Sequence, residues 1–174
     1  MSTTEHRILI LEDVASDAEL VENYLKKGGL SFVLKRVETR EDFSRELDSF
    51  APDIILSDYN LPQFDGLAAL EIAKVKCPNV PFIFVSGVMG DELAVQTLKN
   101  GAVDYVLKDR LIQLVPAIER ALRDAESKEV LKTKVSELEI LVKSMVGREL
   151  KMVELKKTIA DLKEHLVGPL NPTL

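Results

Sequence analysis

The sequence is poor in the features that mark secreted and membrane proteins. It holds one cysteine, Cys77, so no disulfide can form within the chain. No apolar run approaches the roughly 20 residues that a membrane-spanning helix needs. The apolar patch at residues 8–11 is too short for a signal peptide and is followed at once by acids. We therefore expect a protein of the reducing cytoplasm that does not enter a membrane.

Clusters of basic residues are absent too. The formal net charge is −6 and the isoelectric point is about 5.1, whereas binding to nucleic acid requires clustered lysine and arginine. This balance argues against nucleic acid as a main partner. Glycine and proline are scarce toward the end of the chain, where only Pro116 and Gly147 occur between residues 114 and 166. That scarcity favours long helical structure in this part.

What the sequence does contain is a regular alternation of short apolar runs and helical patterns. Apolar residues make up 46% of the 174 positions, enough for one domain with a buried core and an extension. Predicted strands cover residues 7–11, 32–37, 53–58, 80–85 and 104–107. Strands that alternate with helices in this way predict a parallel sheet with helices on both faces.

Local signals place the helices between these strands. Residues 16–19 form a capping-box pattern that predicts the start of a first helix, and the glycine pair 28–29 should end it. Thr39 is expected to cap a second helix, Asp65 to open a third and Asp91 to start a fourth. Each helix is thus predicted to connect two consecutive strands.

Polar side chains follow the predicted strands. The central run Ile54-Ile55-Leu56 is apolar on both faces and leads to Asp58. Taken alone, Asp58 could equally cap a loop or a helix. Right-handed crossovers, however, bring the carboxyl ends of parallel strands to one edge, where ligands bind in open α/β sheets. The residues expected at that edge are Glu12, Asp13, Asp58, Ser86 and Lys108. Three acids, a hydroxyl and a lysine together indicate a site.

The chemistry that this set supports is phosphoryl transfer. Neighbouring carboxylates repel one another, and a hard divalent cation such as Mg²⁺ relieves the repulsion. With a lysine, Mg²⁺ also offsets the charge of a transferring phosphoryl group. We predict that Asp58 is the nucleophile and becomes an aspartyl phosphate. Asp13 should hold Mg²⁺ directly and Glu12 through water, while Ser86 and Lys108 should each contact a phosphoryl oxygen.

These motifs resemble the receiver domain of two-component response regulators. The acidic pair 12–13, Asp58, Ser86-Gly87 and the stretch GAVDYVLK at 101–108 follow that family's pattern in order and spacing, over roughly residues 7–125. The resemblance implies a flavodoxin-like α/β fold with strand order 2-1-3-4-5. It also implies that a histidine kinase or a histidine phosphotransfer protein donates the phosphoryl group to Asp58.

The same resemblance assigns two further roles. The backbone carbonyl of Asn60 would complete the Mg²⁺ site. Tyr105 would act as a switch that swings inward as Ser86 moves toward the phosphate, since a tyrosine can bury its ring and still keep its hydroxyl in water. The alternative is an ordinary, partly buried edge tyrosine.

Two departures from related patterns affect the interpretation. Receivers usually carry a proline with a cis bond after the lysine, whereas Asp109 follows Lys108 here. Because a non-proline cis bond costs about 2.5–4 kcal/mol, we expect a different loop. This Lys-Asp variant resembles receivers joined to sensor kinases. Haloacid-dehalogenase-like phosphatases also use a nucleophilic aspartate, but their second acid is replaced here by Asn60. We therefore expect a signalling domain with self-phosphorylation from small donors and slow self-dephosphorylation, and not an enzyme.

Beyond the receiver the apolar pattern becomes a heptad repeat. Apolar residues step by four and three, at Leu131, Val135, Leu138, Val142 and Met145 and again at Met152, Leu155, Ile159, Leu162 and Leu166. The two registers slip out of phase near Gly147. We expect a receiver at 1–125, a coiled-coil extension at 126–167 that forms a homodimer, and a terminal tail at 168–174. The alternative for the extension is a helical hairpin folded back at Gly147.

Two functions of different classes fit this organisation. The first is a phosphorylated receiver whose state passes through the helical extension. The second is a structural adaptor, in which a receiver-like domain that takes no phosphate only positions a coiled coil. The five residues at the sheet edge favour the first, because an adaptor has no need of them.

Overall fold

The structure, a computed structural model, describes residues 5–62, 64–87 and 91–166, and only the backbone of 91–93 and 162–166. A five-stranded parallel sheet with strand order β2-β1-β3-β4-β5 forms its centre. The elements in chain order are β1 His6–Leu11, α1 Ala15–Lys27, β2 Phe32–Val37, α2 Arg40–Ser49, β3 Ile54–Ser57, α3 Gly66–Lys76, β4 Phe82–Ser86, α4 Asp91–Lys99, β5 Asp104–Leu107, a 3-10 turn Lys108–Gln113 and α5 Leu114–Leu166. The predicted fold and strand order are confirmed.

The sheet separates two apolar clusters, one on each face. Along β1, Ile8 and Ile10 pack into the cluster that includes α1 and the start of α5, while Leu9 and Leu11 pack into the cluster with α2 and α3. Strands β3 and β4 are buried along their whole length. A continuous apolar run in the sequence therefore marks a strand that helices cover on both sides.

Helix starts agree with the sequence at α2, α3 and α4, the last of which begins at Asp91 as predicted, and they differ at α1. The Thr39 hydroxyl accepts the Asp42 N–H, and the Asp65 carboxylate accepts the Leu67 N–H, as capping residues do. The predicted capping box at residues 16–19 is wrong, because α1 already begins at Ala15 and has no side-chain cap. Only a short loop joins β1 to α1, which moves the helix start ahead of Ser16.

Strand β4 also differs from the prediction, in its starting point. It begins at Phe82, because the N–H of Val80 still bonds to the carbonyl of Cys77 in a turn. After β5, the backbone enters the 3-10 turn, and no peptide bond in the described residues is cis. The loop after Lys108 thus differs from the form with a cis proline, as the sequence predicted.

The chain divides into two units, Met1–Glu129 and Val130–Leu174. Within the first unit, the Asn79 side chain donates to the Glu129 carboxylate at 3.1 Å, and Arg120 of α5 pairs with Asp104 of β5. Helix α5 continues through Gly147 without a break. The folded-back hairpin considered for the extension is therefore wrong.

None of the described helices combines the length and the apolar character that crossing a bilayer requires.

Candidate functional site

Lys108 lies at the centre of a group of carboxylates at the carboxyl edge of the sheet. It follows β5 directly, and its Nζ donates to Glu12 Oε2 at 2.8 Å, Asp17 Oδ2 at 2.6 Å and Asp58 Oδ2 at 2.8 Å. An ammonium has three N–H donors, so each of them meets a different carboxylate. Burial alone would lower the pKa of Lys108, but the hydrogen bonds to Asp17, Asp58 and Glu12 raise it above its usual range.

Glu12 is a fixed and buried member of this group. Its side chain is only 2% exposed, and its second oxygen accepts the Val14 N–H at 3.1 Å. Burial raises the pKa of Glu12, although Lys108 and the Val14 N–H both oppose that rise. The guanidinium of Arg36 donates to the carbonyls of Glu12 at 3.0 Å and Asp13 at 3.4 Å. Arg36 thus fixes the backbone of the acidic loop.

Asp58 follows β3 and is held through its backbone and its side chain. Its N–H donates to the Leu11 carbonyl at 2.9 Å, and its Oδ1 accepts the Asn60 N–H at 3.2 Å. Gly66, the first residue of α3, lies so close that a Cβ there would be 2.6 Å from the carbonyl oxygen of Asp58. Only a residue without a Cβ therefore permits this approach of α3 to the Asp58 loop.

The carboxylates of Glu12, Asp13 and Asp58 fit a metal ion of the Mg²⁺ type. Each offers an oxygen, and these atoms all lie within 4.8 Å of one another. Hard divalent cations bind oxygen ligands, and Mg²⁺ holds them at about 2.0–2.1 Å. Small movements of the three side chains would therefore bring their oxygens around one Mg²⁺ ion. The donor set, with no nitrogen or sulfur, matches that preference.

Ser86 and Tyr105 lie on neighbouring strands of the same sheet. Ser86 ends β4 and is buried, opposite Leu107. Tyr105 lies within β5, half-buried, opposite Phe84, and packs against the cluster of α2 and α3. Residues 88–90, in the loop that should move with Ser86, lie outside the described residues.

Asp17 is the site residue that the sequence reasoning missed. The sequence pattern predicts that it belongs to a helix cap, yet its Oδ2 accepts a hydrogen bond from Lys108 Nζ at 2.6 Å from the first turn of α1. A signal was available. Asp17 lies four residues after Asp13, and a helix that begins directly after the acidic loop returns its first turn to the same edge of the sheet. Recognising it depended on placing the start of α1 correctly.

Comparison with known proteins identifies the family of this chain. The model of the response regulator receiver domain matches residues 8–119. The nitrogen assimilation regulatory protein NtrX of Azorhizobium caulinodans is 32% identical over 174 residues, which cover 95% of this chain and 35% of that protein. The chain thus spans about a third of NtrX, and less than half of the other curated relatives compared first.

Two solved structures show the same architecture. A response regulator receiver domain protein (CheY-like) of Methanospirillum hungatei has a TM-score of 0.62 at 25% identity, and the match covers 72% of this chain and 99% of the other. A fusion that contains the trimeric coiled coil of yeast Spc42 has a TM-score of 0.64 at 26% identity, with 84% of this chain and 99% of the other covered. With an acidic cluster, a lysine at its centre and a family match over most of its length, the chain belongs to the receiver domains of two-component response regulators.

Proposed function

We propose that this receiver accepts a phosphoryl group on Asp58 from the phosphohistidine of a histidine kinase or a histidine phosphotransfer protein. The observation that carries the proposal is the position of Asp58, whose Oδ2 lies 2.8 Å from Lys108 Nζ beside two further acids. The carboxylate oxygen attacks phosphorus, an O–P bond forms, and the P–N bond to the donor histidine breaks. The imidazole keeps the electron pair of that bond and takes up a proton.

The residues around Asp58 have separate tasks in this transfer. Mg²⁺, held by Asp13, Asp58 and the Asn60 carbonyl and by Glu12 through water, would offset charge on the phosphoryl oxygens. Lys108 donates to one phosphoryl oxygen and Ser86 to another. The Asn60 N–H, which already donates to Asp58 Oδ1, keeps the carboxylate oriented. The same chemistry with water as acceptor of the phosphoryl group gives slow self-dephosphorylation.

Intact mass tests the acceptor. With acetyl phosphate and Mg²⁺, the mass of the protein should rise by one phosphoryl group, and Asp58→Asn should abolish the rise. Asp109→Asn, which removes an exposed acid beside Lys108, serves as control and should leave the rise unchanged. Uptake by the Asp58→Asn variant, or none by the wild type, would contradict the assignment. The second outcome would instead favour the structural adaptor.

Two further variants separate metal binding from transfer. Asp13→Asn should weaken Mg²⁺ binding, because it removes a charged ligand. Lys108→Ala should retain Mg²⁺ binding but take up the phosphoryl group more slowly, since the lysine acts on the phosphoryl oxygens. Calorimetric titration with Mg²⁺ and phosphorylation rates measured side by side distinguish the two. If both variants lost Mg²⁺ affinity and phosphorylation rate to the same extent, the separate roles proposed for Asp13 and Lys108 would be wrong.

We infer that Ser86 and Tyr105 report the phosphorylated state. A phosphoryl group adds close to two negative charges and strong acceptor oxygens, which should draw Ser86 and Lys108 inward and let the half-buried Tyr105 ring follow. Hydrogen exchange at Tyr105 and in residues 88–93 should then change when a phosphate mimic binds. Identical exchange with and without the mimic would mean that the switch is built differently.

The output of this receiver is proposed to pass through α5. The heptad side chains that should meet a partner are exposed in the single chain, among them Leu131, Leu138 and Met145 at 65%, 60% and 66%. A second copy of the chain, in a homodimer, is the partner that buries identical stripes against each other. Acids and bases are interspersed along this helix, whereas binding to nucleic acid needs clustered basic residues. The cytoplasm, where histidine kinases donate their phosphoryl groups, is the proposed location.

A further inference from the structure

The hydrogen-bonding capacity of Lys108 is used completely in the structure. Its three N–H groups meet Glu12 at 2.8 Å, Asp17 at 2.6 Å and Asp58 at 2.8 Å. An ammonium has no other donors. The transfer proposed above requires Lys108 to donate to a phosphoryl oxygen. One of the three carboxylates must therefore give up its hydrogen bond when the phosphoryl group arrives.

Glu12 is poorly suited to release its hydrogen bond with Lys108. Its side chain is 2% exposed, and the Val14 N–H holds its other oxygen in place. Because the proposed Mg²⁺ would reach Glu12 only through water, loss of Lys108 would leave this buried carboxylate without a direct cationic partner, which is costly. Phosphorylation turns the Asp58 carboxylate into an acyl phosphate, so the hydrogen bond from Lys108 to Asp58 can pass to a phosphoryl oxygen on the same residue. Glu12 and Asp17 are then the carboxylates that still compete with the phosphoryl group for the ammonium, and Glu12 cannot leave Lys108 at low cost.

Asp17 is suited to release. Its side chain is 35% exposed, so water can replace the ammonium at its carboxylate. It lies in the first turn of α1, where the partial positive charge of the helix amino terminus favours a carboxylate in either state. The contact between Asp17 and Lys108 is thus the one that can open without leaving a buried charge.

We propose that Asp17 is a positioning residue that holds Lys108 in the resting state and competes with the phosphoryl group for its ammonium. The inference rests on the proposed function. In the resting protein, Asp17 draws Lys108 toward α1. In the phosphorylated protein, Lys108 turns from Asp17 to a phosphoryl oxygen, and the competing carboxylate shortens the lifetime of that state.

Beryllofluoride, a phosphoryl mimic, provides the test on the full chain. With Mg²⁺ present, Asp17→Asn should bind it roughly three- to tenfold more tightly than the wild type, a gain of about 0.7–1.4 kcal/mol, the range of a partly exposed ion pair. Asp17→Ala, which removes the acceptor altogether, should gain at least as much. Loss of phosphoryl from Asp58 after acetyl phosphate is removed should slow by a similar factor. Glu19→Gln, a loss of the same charge from an exposed position on α1, is the control and should match the wild type.

A double-mutant cycle separates competition for Lys108 from a general effect of charge. In the Lys108→Ala background, Asp17→Asn should no longer change the affinity for beryllofluoride. A gain that persists in that background, or a wild-type affinity in Asp17→Asn, would overturn the inference. A titration with Mg²⁺ alone adds a further test, because a loss of affinity as large as that of Asp13→Asn would make Asp17 a metal ligand. If the wild type itself binds no mimic and takes up no phosphoryl group, the proposed function fails first and this inference with it.

Discussion

At the scale of single residues, the buried carboxyl group of Glu12 makes the stability of the fold depend on pH. Burial raises the pKa of Glu12, so the folded protein binds that proton more tightly than the unfolded chain does. The contribution of Glu12 is fully present below the ordinary pKa of a glutamate and is lost as pH rises through the folded value. The metal-free wild type should therefore lose stability relative to Glu12→Gln as pH rises above the ordinary glutamate pKa of about 4.3.

Urea unfolding of both proteins across this range measures the difference. Glu46 provides a control of opposite sign, because hydrogen bonds from Lys35 and Ser49 lower its pKa. Its contribution is present above the ordinary pKa and is lost as pH falls, so Glu46→Gln should be less stable than the wild type at pH 7 and should approach it in acid. If the difference in unfolding free energy between the wild type and Glu12→Gln stayed constant with pH, burial would not raise the pKa of Glu12 as stated.

Gly66 gives a second prediction at this scale. A Cβ on residue 66 would lie 2.6 Å from the Asp58 carbonyl oxygen, 2.9 Å from a ring carbon of Phe84 and 3.1 Å from the Tyr59 Cα. Two of these neighbours are backbone atoms and cannot rotate away. Gly66→Ala should therefore cost about 1–3 kcal/mol of unfolding free energy and displace Asp58, so that phosphoryl uptake slows as well. A variant with wild-type stability in urea would show that α3 can move without cost.

Sequence reasoning was effective at this scale wherever a residue ends a strand. Glu12, Asp58, Ser86 and Lys108 all follow apolar runs, and the crossover rule alone places such residues on one edge. Asp17 and Arg36 could not be found in this way. Asp17 depends on where α1 begins, and Arg36 depends on the side chain of one strand reaching the loop after its neighbour. Contacts of that kind come from the three-dimensional path of the chain and leave no periodic pattern.

At the scale of elements, α5 shows that a break in the heptad pattern is not a break in the helix. The registers slip near Gly147, yet the backbone stays helical there, and a Cβ on residue 147 would meet no atom within 4 Å. Gly147→Ala should therefore stabilise the helix by about 1 kcal/mol. Circular dichroism during heating should show a higher melting temperature for this variant. A lower one would indicate that an oligomer needs the small residue for close packing at this position.

At the scale of the whole molecule, the first prediction is the oligomeric state. A single helix leaves its apolar stripe in water, and each leucine buried between two chains contributes on the order of 1.5–3 kcal/mol. Light scattering of the full chain should give a mass near twice 19.4 kDa. A chain that ends at Glu129, the last residue of the first unit, should be a monomer.

The other possible outcomes of this measurement are equally informative. Three times the monomer mass would indicate a trimer, the state named for the coiled coil in the Spc42 fusion. A dimer that survives the truncation would place the interface on the receiver. If the full-length protein were a monomer at micromolar concentration, the proposed homodimer would be wrong. The apolar stripe of α5 would then be available to bind a different protein.

The strand order also has a consequence for biosynthesis. Strand β1 lies inside the sheet, between β2 and β3, and Arg7 and Asp53 are joined across 46 positions of the chain. At about 5–20 residues per second on a ribosome, β1 is without that neighbour for several seconds after it is made. The heptads of α5 come after β5, so translation completes the sheet before it delivers the segment that is proposed to bind a second chain. Nascent chains therefore have the opportunity to fold their receivers alone, and in the proposed homodimer the copies that pair would already have a complete site for the phosphoryl group.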